Sequence, residues 1–133
     1  MADITNDRAK RVWIYCRTAH DDGITLSLQE SVLNEFAERQ GWAVAGVTAE
    51  TGSGLEYDRK GLKEVRQAAK SKQTDIVLAK DISRIGRTGL DTTNYIYELF
   101  NLGVEFTTLN DHASKIKPWQ VAVYIPPWVQ DKN

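Results

Sequence analysis

The stretch Val12-Trp13-Ile14-Tyr15-Cys16 is an unbroken apolar run of five residues, which is the length of a buried strand. Ile76-Val77-Leu78-Ala79 is a second such run, and we predict further strands over Trp42 to Val47 and over Val104 to Thr107. Unbroken apolar strands are typical of a parallel sheet that is covered on both faces. The strands therefore predict a parallel sheet at the centre of the fold.

Segments with helical periodicity separate these strands. Ser27-Leu28-Gln29-Glu30 matches a capping box, in which the serine and glutamate side chains bind free amides of the first turn. This pattern predicts that the first helix begins at Ser27, and Gly41 should end it. The apolar side of the helix is predicted to hold Leu28, Val32, Leu33, Phe36 and Ala37.

Two more helices follow the same periodicity, and the third runs from about Thr88 to Leu102, where Gly103 ends it. Their apolar positions are Leu62, Val65 and Ala69 in the second helix and Ile96, Leu99 and Phe100 in the third. Strands that alternate with helices predict an α/β fold. We expect a three-layer sandwich, with a mostly parallel sheet of four or five strands and helices on both faces.

The composition is that of one globular domain. The chain has 133 residues, of which 41% are hydrophobic and 26% are charged, and this length has room for a modest core. No apolar run approaches the ~18 residues that span a bilayer, and the polar lead-in over residues 1–11 is not a signal peptide. The single cysteine, Cys16, fits a buried strand position and a reducing compartment. We therefore expect a cytoplasmic protein.

Charge is unevenly distributed along the chain. The net charge is only −1, which argues against a uniformly basic nucleic-acid binder. The segment from Arg59 to Arg87, however, contains nine Lys and Arg residues and only three acidic residues, which is a local excess charge of +6. A local positive field of this kind attracts a polyanion. Part of the run, including Lys63, Lys70 and Lys72, is expected to be the solvated face of a helix.

Three loops that follow predicted strands carry arginines: Arg17 after the first strand, Arg59 after the second, and Arg84 with Arg87 after the third. In parallel α/β sheets, sites gather beyond the C-terminal ends of the strands. Arginine presents a rigid, permanently charged fork that fits phosphate oxygens. Four arginines at one edge would repel one another without an anion. Together with Ser53, they predict a phosphate-binding site.

Other site chemistries have weaker support. His20 and His112 lack the cysteine, histidine or carboxylate spacing of a zinc site. The chain has neither a P-loop lysine motif nor a dinucleotide glycine fingerprint, so we expect no metal and no cofactor. From His112 to Asn133, prolines exclude a long helix, although Val121 to Ile125 fits an edge strand.

Taken in order, the motifs resemble those of the serine site-specific recombinases, the resolvase and invertase family. Tyr15-Cys16-Arg17-Thr18-Ala19 looks like their Tyr-x-Arg-x-Ser motif, and Glu50-Thr51-Gly52-Ser53-Gly54 looks like their Asp-x-x-Ser-Gly loop. Asp58-Arg59-Lys60-Gly61-Leu62 resembles Asp-Arg-x-Gly-Leu, and Arg84-Ile85-Gly86-Arg87 resembles Arg-x-Gly-Arg. The resemblance implies a resolvase-like catalytic domain over residues 12–111, followed by an atypical segment, 112–133, without a DNA-binding domain.

In that family a serine attacks a DNA phosphodiester and forms a 5′-phosphoserine link. Dimers pair into a tetramer and exchange strands without metal or nucleotide. The arginines stabilise charge on the phosphate oxygens as the bond breaks. The resemblance implies DNA as a partner, and either a homo-oligomer or association with a full-length recombinase. The residues it implies are Arg17, Arg84 and Arg87 for catalysis and Tyr15, Ser53 and Arg59 for contacts to phosphate or DNA.

Three features depart from the family pattern. Ala19 occupies the place of the nucleophilic serine, and a methyl group cannot attack phosphorus; the neighbouring Thr18 should point to the opposite side of the chain. The family's helix usually reads Ser-Leu-x-x-Gln, and counting from Ser27-Leu28 places Ser31 where the glutamine should be. The family's long helix should follow Asp111, where this chain has prolines.

The sequence therefore leaves several functions open. One is a recombinase catalytic domain for DNA strand exchange that is inactive because Ala19 replaces the nucleophilic serine. Another is a non-catalytic module that binds DNA or a full-length recombinase and regulates it. A third is a decaying fragment without a present function.

Overall fold

The computed structural model describes residues 9–20, 23–52, 59–86, 89–110 and 115–116. Within these ranges, strands and helices alternate along most of the chain. The strands are β1 (Arg11–Thr18), β2 (Ala43–Thr51), β3 (Ile76–Ala79), β4 (Glu105–Thr108) and β5 (Lys115–Ile116). The α-helices are α1 (Thr25–Arg39), α2 (Lys60–Lys70) and α3 (Gly89–Asn101).

The strands form one sheet in the order β2-β1-β3-β4-β5. β1 to β4 are parallel, and β5 pairs antiparallel with β4, so the predicted α/β fold with a mostly parallel sheet is confirmed. The chain passes from β1 to β2 on one side and then returns to β3 on the other. In open sheets the crevice for a ligand lies at such a reversal, beyond the carboxyl ends of the strands.

Helices cover both faces of this sheet because successive residues of each strand point to opposite sides. On one face, Leu33 and Ala37 of α1 pack against strand residues that include Val12, Ile14 and Leu78. On the other face, α2 and α3 supply Leu62, Val65, Ile96 and Leu99 to a core with Tyr15, Val77 and Phe106. The predicted three-layer arrangement is confirmed. Cys16 is buried in β1, as predicted.

The start of α1 differs from the prediction. The helix begins at Thr25, with Ile24 at the N-cap and no side-chain cap. The hydroxyl of Ser27 instead donates to the carbonyl oxygen of Gly23 at 2.9 Å. The capping-box prediction is wrong because Ser27 already lies within the first turn. Gly41 does end the helix, in a left-handed backbone conformation with φ 79°.

The apolar side of α1 was also partly misassigned. Leu33 and Ala37 are buried as predicted, but Leu28 and Val32 are 61% and 44% exposed. Gln29 is buried in their place. The buried residues of α1 are thus four positions apart, at Gln29, Leu33 and Ala37. The exposed Leu28 and Val32 lie next to this buried row on the helix surface.

Two smaller differences concern the remaining elements. β2 continues to Thr51, beyond the predicted end at Val47, and Phe100 on α3 is 42% exposed. The prediction of an edge strand at Val121–Ile125 falls outside the described residues, within which β2 and β5 form the two edges of the sheet. No helix in the described ranges is long and apolar enough to cross a membrane.

Candidate functional site

The loops that follow β1 and β3 lie at the reversal of the sheet. β1 ends at Thr18, and Ala19 follows it as an exposed residue. After β3 the chain forms a 3₁₀ turn over Ile82–Arg84. The residue in the place of the family's serine and the turn that carries Arg84 therefore stand at the same edge.

Arg84 reaches from this turn to β1. Its Nη1 donates to the carbonyl oxygen of Arg17 at 3.2 Å, two residues before Ala19. Its Nε lies 3.8 Å from Oδ2 of Asp81 and is buried without a hydrogen-bond partner among the described residues. Asp81 also accepts a hydrogen bond from the amide of Ser83 at 2.9 Å, which fixes the turn. The side chain as a whole is 22% exposed, and Nη1 is its one nitrogen with a hydrogen-bond partner among the described residues, so the guanidinium keeps donor capacity for an anion.

Arg17 has a different environment. The residue is only 4% exposed. Its Nε donates to the carbonyl oxygen of Arg84 and its Nη1 to that of Gly52, both at 2.8 Å, and its Nη2 donates to the carbonyl oxygen of Ser83. One side chain of β1 therefore holds together the backbone that follows β2 and the backbone that follows β3.

Arg59 supports the same turn from the other side. It is 7% exposed, and its Nη2 donates to the carbonyl oxygens of Arg84 and Ile85 at 3.0 and 2.7 Å. Its Nε lies 3.4 Å from Oε2 of Glu50. Two buried guanidinium groups thus converge on the carbonyl oxygen of Arg84.

The hydroxyl of Tyr15 connects Arg59 to Glu50. It accepts a hydrogen bond from Nη2 of Arg59 at 3.0 Å and donates one to Oε2 of Glu50 at 2.6 Å. The other oxygen of Glu50 accepts the amide of Gly61, in the first turn of α2, at 2.8 Å. Burial, followed by the hydrogen bond to Glu50, raises the pKa of the Tyr15 phenol. The phenol therefore stays protonated and acts as a fixed link.

Gln29 also belongs to this edge. Its Oε1 accepts the amide of Arg17 at 3.0 Å, and its Nε2 donates to the carbonyl oxygen of Arg17 at 3.3 Å. Counted from the observed start of α1, the spacing Thr25-Leu26-x-x-Gln29 ends on a glutamine. The interpretation of Ser31 as a lost glutamine is therefore wrong, and Ser31 is exposed. The error came from counting from Ser27 instead of from the first helical residue.

The structure thus brings Tyr15, Arg17, Arg59 and Arg84 together, with Ala19 at the rim of the group. Two other predicted site residues, Ser53 and Arg87, lie outside the described residues. The arginines were expected to require an anion to offset their repulsion. Backbone carbonyl oxygens and a carboxylate already offset much of it here.

Sequence reasoning missed two members of this group. Glu50 could have been found, since it is the first residue of the stretch that resembles the Asp-x-x-Ser-Gly loop. Gln29 could have been found only with the correct start of α1. No group of three histidine, cysteine or carboxylate side chains that could hold a metal occurs in the described part of the chain. His20 is exposed, and His112 lies outside the described ranges.

Comparison with known proteins gives a family and a fold. A family model described as Resolvase, N terminal domain, matches residues 12–121. The N-terminal catalytic domain of TP901-1 integrase superposes with a TM-score of 0.72 at 27% identity, over 80% of this chain and 81% of that one.

Two further solved structures are similar. The C-terminal catalytic domain of ISC1926 TnpA, an IS607-like serine recombinase, gives a TM-score of 0.69 at 27% identity, over 74% of this chain and 67% of that one. A resolvase family site-specific recombinase from Streptococcus pneumoniae gives a TM-score of 0.71 at 19% identity, over 86% of this chain and 82% of that one. At that identity the likeness concerns the fold alone.

Proposed function

Because this chain belongs to the resolvase family of serine site-specific recombinases, we propose that it binds a DNA phosphodiester at the carboxyl edge of its sheet without cutting it. The observation that carries this proposal is that the guanidinium of Arg84 binds the carbonyl oxygen of Arg17 at 3.2 Å, and that the exposed residue two positions further on, Ala19, is an alanine. The cation that suits a phosphate is present, whereas the nucleophile expected at that position is not.

Two hydroxyl groups on β1, those of Thr18 and Tyr15, do not replace the missing nucleophile. Thr18 is 7% exposed, and its Oγ1 donates to the carbonyl oxygen of His20 at 2.8 Å. The hydroxyl of Tyr15 is fully buried and lies between Glu50 and Arg59. An attacking oxygen must reach phosphorus with its proton removed. Both of these groups are held away from solvent and bound to other partners.

The arginines have different roles in this proposal. Arg17 and Arg59 fix the turn through its backbone oxygens, so the turn keeps its shape whichever side chain stands at position 84. Arg84 supplies the charge that meets the phosphate. Its side chain can therefore be changed without removing the contacts that hold the turn.

DNA binding tests the cationic part of the site. Arg84→Ala should weaken binding to a labelled DNA duplex about tenfold or more at 50 mM salt, because charged hydrogen bonds to phosphate contribute roughly 1.5–3 kcal/mol. Arg39→Ala removes an equal charge from the exposed end of α1 and should have little effect. Fluorescence anisotropy measures both. Equal effects of the two substitutions would contradict a phosphate site at Arg84.

Restoring a hydroxyl tests the missing nucleophile. Ala19→Ser should form a covalent adduct with nicked DNA that survives a denaturing gel, whereas the parent chain and Ala19→Ser/Arg84→Ala should form none. An adduct with the parent chain would show that another residue is the nucleophile and would overturn the proposal. If the parent binds no DNA at low salt but captures a full-length recombinase of this family, the protein-binding alternative is the better one.

A further inference from the structure

One side of α2 carries exposed lysines. Lys60, Lys63 and Lys70 are spaced by three and seven residues, so they lie along one side of the helix. All three are exposed, while the opposite side of α2 is buried against the sheet through Leu62, Val65 and Ala69. We call these three residues the lysine stripe. The sequence predicts a solvated helix face for part of the basic run, including Lys63, Lys70 and Lys72.

The charge of α2 sets it apart from the other two α-helices. It has four cationic side chains and one carboxylate, a net charge of +3. α1 has three carboxylates and one arginine, a net charge of −2, and α3 has two carboxylates and no cation, also −2. The positive charge of the described helices is therefore concentrated on one helix.

The acids close to α2 have other partners than the lysine stripe. Glu98 of α3 pairs with Arg66, at 2.8 Å from its Nε. Glu64 accepts a hydrogen bond from the hydroxyl of Thr48 on β2. Within the described ranges, none of the three lysines forms an ion pair. Opposite charges that alternate along a helix favour a solvated face with internal ion pairs, whereas the stripe itself carries only lysines.

The lysine stripe begins next to the proposed phosphate site. Lys60 directly follows Arg59, whose guanidinium binds the carbonyl oxygen of Arg84. From Lys60 to Lys70 the helix axis advances about 15 Å, at 1.5 Å per residue. In a DNA duplex each strand places a phosphate about every 3.4 Å along the axis. The stripe is thus long enough to meet several phosphates next to the one at Arg84.

We propose that the lysine stripe binds the sugar–phosphate backbone of duplex DNA that flanks the phosphate held at the edge of the sheet. This inference rests on the proposed function, because it extends the same DNA contact. The stripe contributes no base recognition. Phosphate contacts by lysine position a duplex and make its binding depend on salt.

The test compares two double substitutions with the same change in charge. Lys60→Gln/Lys63→Gln removes two charges from the stripe. Lys10→Gln/Arg39→Gln removes two exposed charges from other parts of the molecule. Gln and Lys have similar helix propensities, so the stripe variant should keep the fold, and circular dichroism checks this. Each protein is titrated against a labelled 30-base-pair duplex by fluorescence anisotropy between 25 and 200 mM NaCl.

In a plot of log K against log salt, the slope of the stripe variant should be less negative than the parental slope by about 0.9 for each lysine removed. The control should keep the parental slope. At 0.1 M salt the dissociation constant should rise by roughly fivefold to tenfold per lysine. Lys70→Gln should also make the slope less negative by about 0.9, because the proposed duplex follows the whole stripe. Identical slopes for the two double variants would overturn the proposal.

The failure of this inference can be told from the failure of the proposed function. If Arg84→Ala weakens binding but the stripe variant behaves like its control, only the lysine stripe is wrong. If the stripe variant weakens binding and Arg84→Ala does not, the stripe is a DNA surface and the site at Arg84 is wrong. If the parent chain binds no duplex even at 25 mM salt, both proposals are overturned.

Discussion

Arg17 and Arg59 both direct a guanidinium nitrogen at the carbonyl oxygen of Arg84. A guanidinium buried without compensation costs several kcal/mol, so the backbone oxygens around it are part of the fold's stability. The network contains three arginines, Arg17, Arg59 and Arg84, and two carboxylates, Glu50 and Asp81, so its net charge is +1. The buried guanidinium groups are therefore compensated without a ligand, and the remaining positive charge supports the anion site proposed at Arg84.

Gln29 permits a direct test of how α1 is fixed to β1. Gln29→Ala should destabilise the protein by about 1–3 kcal/mol, because the buried amide of Arg17 loses its side-chain partner. The carbonyl oxygen of Arg17 loses one of its two side-chain donors and keeps Arg84. Ser31→Ala, on the exposed side of the same helix, should change stability by less than about 0.5 kcal/mol. Urea unfolding followed by circular dichroism measures both. Equal losses would show that Gln29 has no special role.

The junction between β2 and α2 depends on a close approach. The carboxylate of Glu50 accepts the amide of Gly61 at the start of α2, where a negative charge also meets the positive end of the helix dipole. A Cβ atom on Gly61 would overlap this carboxylate. An alanine there would ordinarily gain about 1 kcal/mol of helix propensity. The carboxylate could move away only by giving up its hydrogen bonds to the Tyr15 hydroxyl and the Gly61 amide. In this chain Gly61→Ala should therefore destabilise by about 1–3 kcal/mol.

A double-mutant cycle separates the overlap from any other effect of Gly61→Ala. In a Glu50→Ala background the overlap is absent, so alanine at position 61 should become neutral or stabilising. If Glu50→Ala does not fold, Glu50→Asp, with a side chain shorter by one methylene, serves as the background. Urea unfolding gives the coupling free energy between the two positions. The same loss in both backgrounds would refute the proposed contact.

The secondary-structure elements differ in how well the sequence predicts them. β3 is observed at its predicted bounds, Ile76–Ala79, because an unbroken apolar run between turns fits a buried strand. The last residues of β2 were missed because they are held by backbone pairing with Tyr15 to Thr18 and not by an apolar pattern. The start of α1 was misplaced because a capping-box pattern can also occur inside the first turn.

At the scale of the whole molecule, the location of the site was predictable and the partners of its side chains were not. The location follows from the order of the strands, since ligands bind beyond their carboxyl ends. The partners depend on loops that are far apart in the chain. Arg17 meets the backbone of Gly52 and Arg84, 35 and 67 residues away. No local pattern distinguishes an arginine that binds a carbonyl oxygen from one that binds a phosphate.

Burial of the Cys16 thiol and of two tyrosine phenols should make the free energy of unfolding of the whole domain decrease at alkaline pH. Burial raises the pKa of its thiol from 9.0 to about 12, and burial also raises the pKa of the phenols of Tyr15 and Tyr95 above 10.0. In each case the folded protein keeps a proton that the unfolded chain releases. The stabilisation is therefore fully present below the unfolded pKa and is lost as pH rises above it.

Stability should therefore begin to fall near pH 9, where the unfolded thiol ionises, and fall more steeply above pH 10, where the unfolded phenols follow. One such group changes the free energy of unfolding by up to about 1.4 kcal/mol per pH unit. Cys16→Ala will lower stability at every pH because it leaves a cavity, but it should flatten the decrease between pH 9 and 10. Urea unfolding at pH 8, 9 and 10 compares the slopes of the two proteins. Parallel decreases would show that the thiol of Cys16 ionises as readily in the folded domain as in the unfolded chain.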